Sequence, residues 1–363
     1  MDIERIQLFE IHLVYLALVS FFLCIALIVL ARVVPRLRGR ADDATAVQAM
    51  HVGLTPRVGG VAIFGALACS IFFAPEALVR QYGVFIIATA LVFLVGLKED
   101  LGFRVTPRIR LLTVAVASLF VIGLIGDWLR TIGWPVADQA LAYWFIGVPF
   151  TLLLTAGVSN GFNLIDGVNG LAALAAIGAA FSIALIAEQA GYVPTAVLSM
   201  MVAAVVAGFF VLNYPFGLIF LGDAGAYTIG FVLGWFGIAT LLNAPAAAPW
   251  AILLTMFWPL ADTLLAMYRR ARSNRDAMLP DRLHMHQLVM RGIEIRVLGR
   301  NRRHLCNSLT TAVLAPFVLI PPITGVLLWD DNFAAFLAVL AFLGIFFVSY
   351  YAAMAAARRR GKP

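Results

Sequence analysis

Charge is scarce in this chain. Only 12% of its 363 residues are Asp, Glu, Lys or Arg, against about 25% in soluble domains, so a water-soluble globule and a disordered chain are both excluded. Cysteine is scarcer still. Cys24, Cys69 and Cys306 are far apart, in or beside apolar runs, so they read as packing residues rather than as a disulfide scaffold or a thiolate metal set. No internal repeat, low-complexity stretch or aromatic-interleaved basic patch is present. The net charge of +7 therefore points to the positive-inside rule and not to nucleic acid.

What the sequence has in excess is apolar surface: 63% of it is hydrophobic, with a mean hydropathy of +0.96. A bilayer crossing takes about 20 apolar residues. The apolar runs fall at 11–31, 60–79, 82–97, 111–126, 141–158, 171–187, 194–212, 228–243, 249–267, 307–328 and 333–355. This predicts one all-α integral-membrane domain over 1–363, with about eleven transmembrane helices. Asp2, Glu4 and Glu10 against Arg5 alone, before a full-length apolar run, predict a retained first span and not a cleaved leader. Placing the loops alternately puts 23 of the 26 Lys and Arg on one side, leaving Arg5, Arg80 and Arg130 on the other. The basic side is expected to be cytoplasmic, with the N-terminus outside and the C-terminus inside. The loops on that side are expected near 32–59, 98–110, 159–170, 213–227 and 268–306. Trp128, Trp134, Tyr143 and Trp144 form an expected interfacial aromatic belt on the other side.

Polar residues are costly inside a membrane, so where they gather carries information. Few lie in mid-span; most lie at the edges of the basic-side loops. That distribution favours an enzyme working at headgroup level over a transporter, whose polar groups sit near the midplane. Glu99-Asp100 closes an apolar run, and adjacent carboxylates suit a metal, a base or a basic neighbour such as Lys98. Ser159 to Gly170 holds Asn160, Asn163, Asp166 and Asn169 with no Lys or Arg. In a helix, Asn160, Asn163 and Asp166 lie successive turns apart, and Gly167 and Gly170 permit close backbone approach. Asp223 stands in Gly222-Asp223-Ala224-Gly225 at the mouth of a span, as a ligand or as an N-cap. Arg282, His284 and His286 lie in the large basic loop; the two-residue His spacing is not a zinc arrangement, and the trio suits a phosphate or sugar. Hard oxygen donors with Arg and His favour Mg²⁺, or Mn²⁺, bound together with a phosphorylated substrate.

The order of these segments resembles the polyprenyl-phosphate N-acetylhexosamine-1-phosphate transferases, glycosyltransferase family 4, and in particular the bacterial undecaprenyl-phosphate N-acetylglucosaminyl-1-phosphate branch. The resemblance runs from Thr55-Pro56-Arg57-Val58-Gly59-Gly60 through the acidic pair, Asn160-Gly161-Phe162-Asn163-Leu164-Ile165-Asp166-Gly167-Val168-Asn169-Gly170-Leu171, the GDAG segment and Pro259-Leu260-Ala261-Asp262-Thr263, to His284-Met285-His286-Gln287-Leu288. It implies transfer of a sugar 1-phosphate from a UDP-N-acetylhexosamine, by default UDP-N-acetylglucosamine, to undecaprenyl phosphate with release of UMP. This would start synthesis of a cell-envelope polysaccharide such as an O-antigen, on the cytoplasmic face of a bacterial inner membrane. The chemistry is phosphoryl transfer, where positioning and charge neutralisation dominate. A phosphate monoester, with a second pKa near 6, is largely ionised, so a strong base is not essential.

By the same resemblance, Asp223 matches the metal-binding Asp, with Asn163 as second ligand. Asp100 matches the acid proposed to engage the carrier phosphate or act as base. Asn160, Asp166 and Asn169 match the nucleotide-side segment, and Arg282, His284 and His286 the sugar-diphosphate loop. Asp262 matches an acidic position on the ninth span, with a salt bridge to Arg269 or Arg270 as the alternative. Two departures stand out: Glu99 replaces the usual Asp, and Arg110 stands where Lys is common. The expected partners are the two substrates and the bilayer, without nucleic acid; the resemblance leaves room for a homodimer. A carrier or flippase for a lipid-linked saccharide is the alternative function, disfavoured by the lack of mid-span charge. A CDP-alcohol phosphotransferase is disfavoured because Asp166-Gly167 is not continued by that family's further acids.

Overall fold

The computed structural model describes residues 3–37, 55–272 and 283–358. They form fourteen α-helices joined by short turns, with no strand among the described residues. In chain order the helices are α1 (Ile3–Val33), α2 (Gly59–Cys69), α3 (Val79–Asp100), α4 (Pro107–Ile125), α5 (Pro135–Leu141), α6 (Trp144–Ile165) and α7 (Leu171–Gln189). They continue as α8 (Val193–Asn213), α9 (Gly222–Asn243), α10 (Pro249–Thr255), α11 (Phe257–Arg272), α12 (Met285–Ile293), α13 (Arg303–Leu327) and α14 (Asn332–Arg358). The chain is a polytopic all-α membrane protein. Nine described helices are long and apolar enough to cross a bilayer, and the pair α10–α11 adds a tenth if counted as one span.

Two of the eleven expected spans differ from a straight crossing. The run at 60–79 is a helix only over Gly59–Phe73, ending in a 3₁₀ turn before Pro75, shorter than a bilayer is thick. The run at 249–267 is broken by 83° between α10 and α11. Pro259 supplies the reason: it has no N–H for the carbonyl of Thr255, the residue at which α10 ends. Hydropathy is blind to both features, because the apolar composition is continuous through them.

Burial sorts the helices. In its most apolar stretch α9 is 89% buried, whereas α1 is 17% buried and α14 22% buried, so α9 is the hub and the outer helices present apolar side chains to lipid. Around α9 pack α2, α3, α6 and α7. Close approach depends on small residues, as is usual between membrane helices. A Cβ on Gly60 would lie 2.2 Å from the Gly225 nitrogen, and one on Gly96 would lie 2.6 Å from the Ala224 Cα. On α6 a ladder of hydroxyls is satisfied within the helix: Thr151 donates to the Gly147 carbonyl (2.8 Å), Thr155 to Thr151 (2.9 Å) and Ser159 to Thr155 (2.8 Å). Such back-bonding lets polar side chains sit in an apolar interior without unpaired donors.

The aromatic segment 127–144 covers one end of the bundle. Trp128 donates its indole N–H to the Leu141 carbonyl at 2.9 Å, and the Arg130 guanidinium lies over its ring. Trp134, Tyr143 and Trp144 are exposed, as a headgroup-level belt requires.

Because backbone meets backbone where α3 crosses α9, Gly96→Leu is expected to destabilise the protein by more than the 1–3 kcal/mol typical of overpacking. Thermal unfolding in detergent would show it, with Gly123→Leu, at a glycine with open space around it, as the control.

Candidate active site

The site is built at the N-terminal end of α9, where four segments meet. Gly222 opens the helix with φ +72°, and a Cβ there would strike both the Arg57 carbonyl and the Asp100 carboxylate, so only glycine fits. Asp100, the last residue of α3, accepts hydrogen bonds from the Asp223 and Ala224 backbone N–H groups, both at 2.9 Å. Its carboxylate thus satisfies otherwise orphaned helix donors and complements the positive end of the helix dipole. The expected N-cap role falls to Asp100, from across the bundle, and leaves the Asp223 side chain available. Glu99 accepts from the Val105 N–H at 2.7 Å and so closes the turn between α3 and α4.

Asp223 is the centre of the polar cluster. It is 6% exposed. Its Oδ1 accepts from the Asn163 carboxamide at 3.1 Å and lies 3.7 Å from the Arg57 guanidinium, and its Oδ2 pairs with Arg110. The Arg110 guanidinium lies 5.7 Å from the Tyr227 ring centroid, and the Tyr227 hydroxyl donates to Asn160 at 3.3 Å. Tyr227 is one turn after Asp223, on the same face of α9. The structure therefore brings Asn160, Asn163, Arg110 and Asp223 together, with Asp100 one hydrogen bond away through the backbone.

Asp166 lies just past the end of α6, at its C-cap. Burial pushes its carboxyl up to about 6, against the lowering effects of the Arg57 charge and a hydrogen bond from the Gly222 N–H. Asn169 is placed differently. Its N–H donates to Asn307 (2.7 Å), its carboxamide to the Pro215 carbonyl (3.1 Å), and its carbonyl accepts from Thr311 (2.6 Å). Asn213 joins the same knot, accepting from the Gly170 N–H (2.6 Å) and donating to the Ile219 carbonyl (2.8 Å). Asn169 thus ties the Asn-rich segment to α13 and to the turn before α9.

The histidine segment docks against this floor. Asp262, fully buried on α11, holds the His284 ring at 2.6 Å and accepts the Met285 N–H at 3.2 Å. The alternative salt bridge to Arg269 or Arg270 is replaced by this contact. His284 caps α12, its own N–H donating to the Gln287 side chain at 3.3 Å. His286 stacks on His284 with ring centroids 5.7 Å apart, and a Cβ on Gly167 would come within 2.2 Å of its Nε2. Glycine at 167 is what lets the ring lie on the Asn-rich segment. Burial, reinforced by His284, holds His286 down to about 4, so it is neutral at physiological pH, and its Nε2 is buried without a protein partner. Arg282 lies outside the described residues.

Two residues of the cluster are given no role by sequence reasoning. Arg57 stands in the segment that opens the family resemblance, Thr55 to Gly60, but is not singled out within it. Tyr227 offers its spacing of four from Asp223.

Fold and site together define a class, a multi-pass membrane enzyme with an anionic centre flanked by arginines at one end of its bundle. Residues 82–241 match the family model described as glycosyl transferase family 4. The chain is 31% identical over 280 residues to the decaprenyl-phosphate N-acetylglucosaminephosphotransferase of Mycobacterium tuberculosis, covering 66% of this chain and 67% of that one. It is 29% identical over 248 residues to the undecaprenyl-phosphate alpha-N-acetylglucosaminyl 1-phosphate transferase of Yersinia pestis, at the same coverage. A probable undecaprenyl-phosphate N-acetylglucosaminyl 1-phosphate transferase of Bacillus subtilis is 27% identical over 258 residues, covering 69% of this chain and 70% of that one. The chain belongs to glycosyl transferase family 4.

Two outcomes follow from this geometry. In divalent-free buffer, the folded protein keeps the Asp166 proton to about pH 6 while the unfolded chain releases it near 3.8. The Asp166 contribution to stability should fall as pH rises through that window, while His286, held near 4 in the fold against 6.5 when unfolded, contributes in the opposite direction. Asp166→Asn should remove the Asp166 contribution and gain about 1–3 kcal/mol over the wild type at pH 7 relative to pH 4, as read by the difference between the two proteins in thermal unfolding. Asp262→Ala leaves a buried imidazole and the Met285 N–H without their acceptor. It should cost about 2–4 kcal/mol, visible as a lowered melting temperature.

Proposed function

We propose that this chain transfers N-acetylglucosamine 1-phosphate from UDP-N-acetylglucosamine to undecaprenyl phosphate, releasing UMP. An oxygen of the lipid phosphate attacks the β-phosphorus of the nucleotide sugar. The bond from that phosphorus to the bridging oxygen breaks, and UMP leaves with the bond's electrons. The observation that carries this reading is the cluster itself: a buried Asp223 touching Asn163, between Arg57 and Arg110, in a chain whose relatives act on polyprenyl phosphates and N-acetylglucosamine phosphate by name.

The donor set fits Mg²⁺. Among the described residues no group of three or more His, Cys, Asp or Glu side chains could hold a metal ion. A site of one carboxylate and one carboxamide, completed by diphosphate oxygens, is the mode Mg²⁺ favours. Asp223 and Asn163 would hold the ion, and the Asn163 carboxamide can present either its oxygen or its nitrogen to Asp223. Bound there, the ion supplies charge neutralisation at the diphosphate. The protein's own part is positioning. Asp100 fixes the backbone of Asp223, Arg110 sets its carboxylate and screens phosphate charge, and Asp262 holds the histidine segment beside the Asn-rich one. The Nε of Arg110 is buried with no acceptor in the protein, which suits an oxyanion ligand.

The same reading places the site on the cytoplasmic side of a bacterial inner membrane, with the N-terminus outside, supported by the 23-to-3 division of Lys and Arg. It makes the product the first lipid-linked intermediate of an envelope polysaccharide.

Purified protein in detergent, given UDP-N-acetylglucosamine and undecaprenyl phosphate, should release UMP and form lipid-linked sugar only with Mg²⁺ or Mn²⁺ present. Asp223→Asn should lower turnover by about a hundredfold or more. Failure to form product without a transmembrane gradient would favour the carrier reading instead.

A further inference from the structure

We infer that Arg57 is a substrate-binding residue that grips a phosphate oxyanion at this site. The inference rests on the proposed transferase activity and adds to it a residue and the ligand chemistry of that residue.

The backbone around Arg57 is fixed independently of its side chain. The Phe220 N–H donates to the Pro56 carbonyl at 2.8 Å, and the Gly59 and Gly60 N–H groups donate to Phe220 and Leu221 at 2.9 Å each. The segment 56–60 is thereby laced to the residues that open α9. The Arg57 carbonyl sits against Gly222, where no Cβ can enter. Arg57 is thus held at the head of α9 whatever its guanidinium does.

The two arginines at Asp223 are not equivalent. Arg110 is bonded directly to Oδ2 and its side chain is 17% exposed; it is the committed counter-ion. Arg57 stands 3.7 Å from Oδ1, past hydrogen-bond length, with its side chain 35% exposed. It acts on Asp223 through charge from a side chain that is partly exposed. Its charge also acts on Asp100 and Asp166, so with Asp223 one guanidinium serves three acids from different segments. Asp100, Asp166 and Asp223 repel any incoming phosphate. A partly exposed cation placed among these acids is what allows a phosphate to approach. A planar guanidinium does this better than an ammonium, because its fork matches two phosphate oxygens. The oxyanion belongs either to the lipid monophosphate or to the sugar-nucleotide diphosphate, which share this chemistry.

The test is steady-state kinetics of UMP release by the full-length protein in detergent, varying each substrate in turn, for wild type, Arg57→Gln and Arg57→Lys. Arg57→Gln is expected to raise one KM by about tenfold to a hundredfold, the loss of a charge-assisted contact, with Arg57→Lys in between. A rise confined to undecaprenyl phosphate puts the guanidinium on the acceptor. A rise confined to UDP-N-acetylglucosamine puts it on the donor. Unchanged KM values in both variants overturn the inference, whether kcat is unchanged or lowered; a lowered kcat alone would make Arg57 a mere support for Asp223. Wild-type melting temperatures in the variants confirm that binding and not folding is read. If the wild type itself releases no UMP, the transferase reading fails, and that result is separate from any behaviour of Arg57.

Discussion

The structure hangs on a carboxylate that binds backbone. Asp100 spends both oxygens on the first amides of the central helix, and by doing so fixes where α9 begins relative to α3. Everything polar nearby is placed from that point. Gly222 must be glycine because Asp100 and the Arg57 carbonyl fill the space beside it. Asp223 stands one residue on, with its side chain turned to Arg110 and Asn163 and not to its own helix end. A cap drawn from a distant helix is sturdier than a local one, because moving it requires moving a whole packed element.

That constraint also explains how so much negative charge is kept together. Asp100, Asp166 and Asp223 are buried or nearly so, a situation that is costly unless each group is paired. Asp100 is offset by helix amides, Asp223 by Arg110, Arg57 and Asn163, and Asp166 by the Gly222 N–H and the charge of Arg57. The histidine segment follows a different rule. Its seat on Asp262 is a buried hydrogen-bonded pair, and the neutral His286 ring lies flat against it.

Much of this was legible in the sequence, and for definable reasons. The membrane class and most of the helices follow from composition, since a long apolar run can be satisfied only as a helix in lipid. Asp223 and Asn163 were readable as partners through the order of motifs, and they lie within hydrogen-bond distance. What was not legible depends on three-dimensional register. The break at Met256 hides in a uniform apolar run. Asn169 looked like its neighbours Asn160 and Asn163, yet it faces α13 and serves the scaffold. Asp262 had two basic candidates about two turns along its own helix, and it chose a histidine 22 positions away. Arg57 stood inside a recognisable segment but without a role, because its place beside Asp223 comes from a pairing between 56–60 and 220–221 that no local pattern encodes.

The glycine crossings bear on how such a protein can diverge. Where Gly60 and Gly96 touch α9, main chain rests on main chain, so there is no side-chain dimension for mutation to adjust by degrees. The anionic centre is in effect frozen geometry. A lineage altering what it recognises has to rewrite the rim, where contacts are made by side chains and each change can be small.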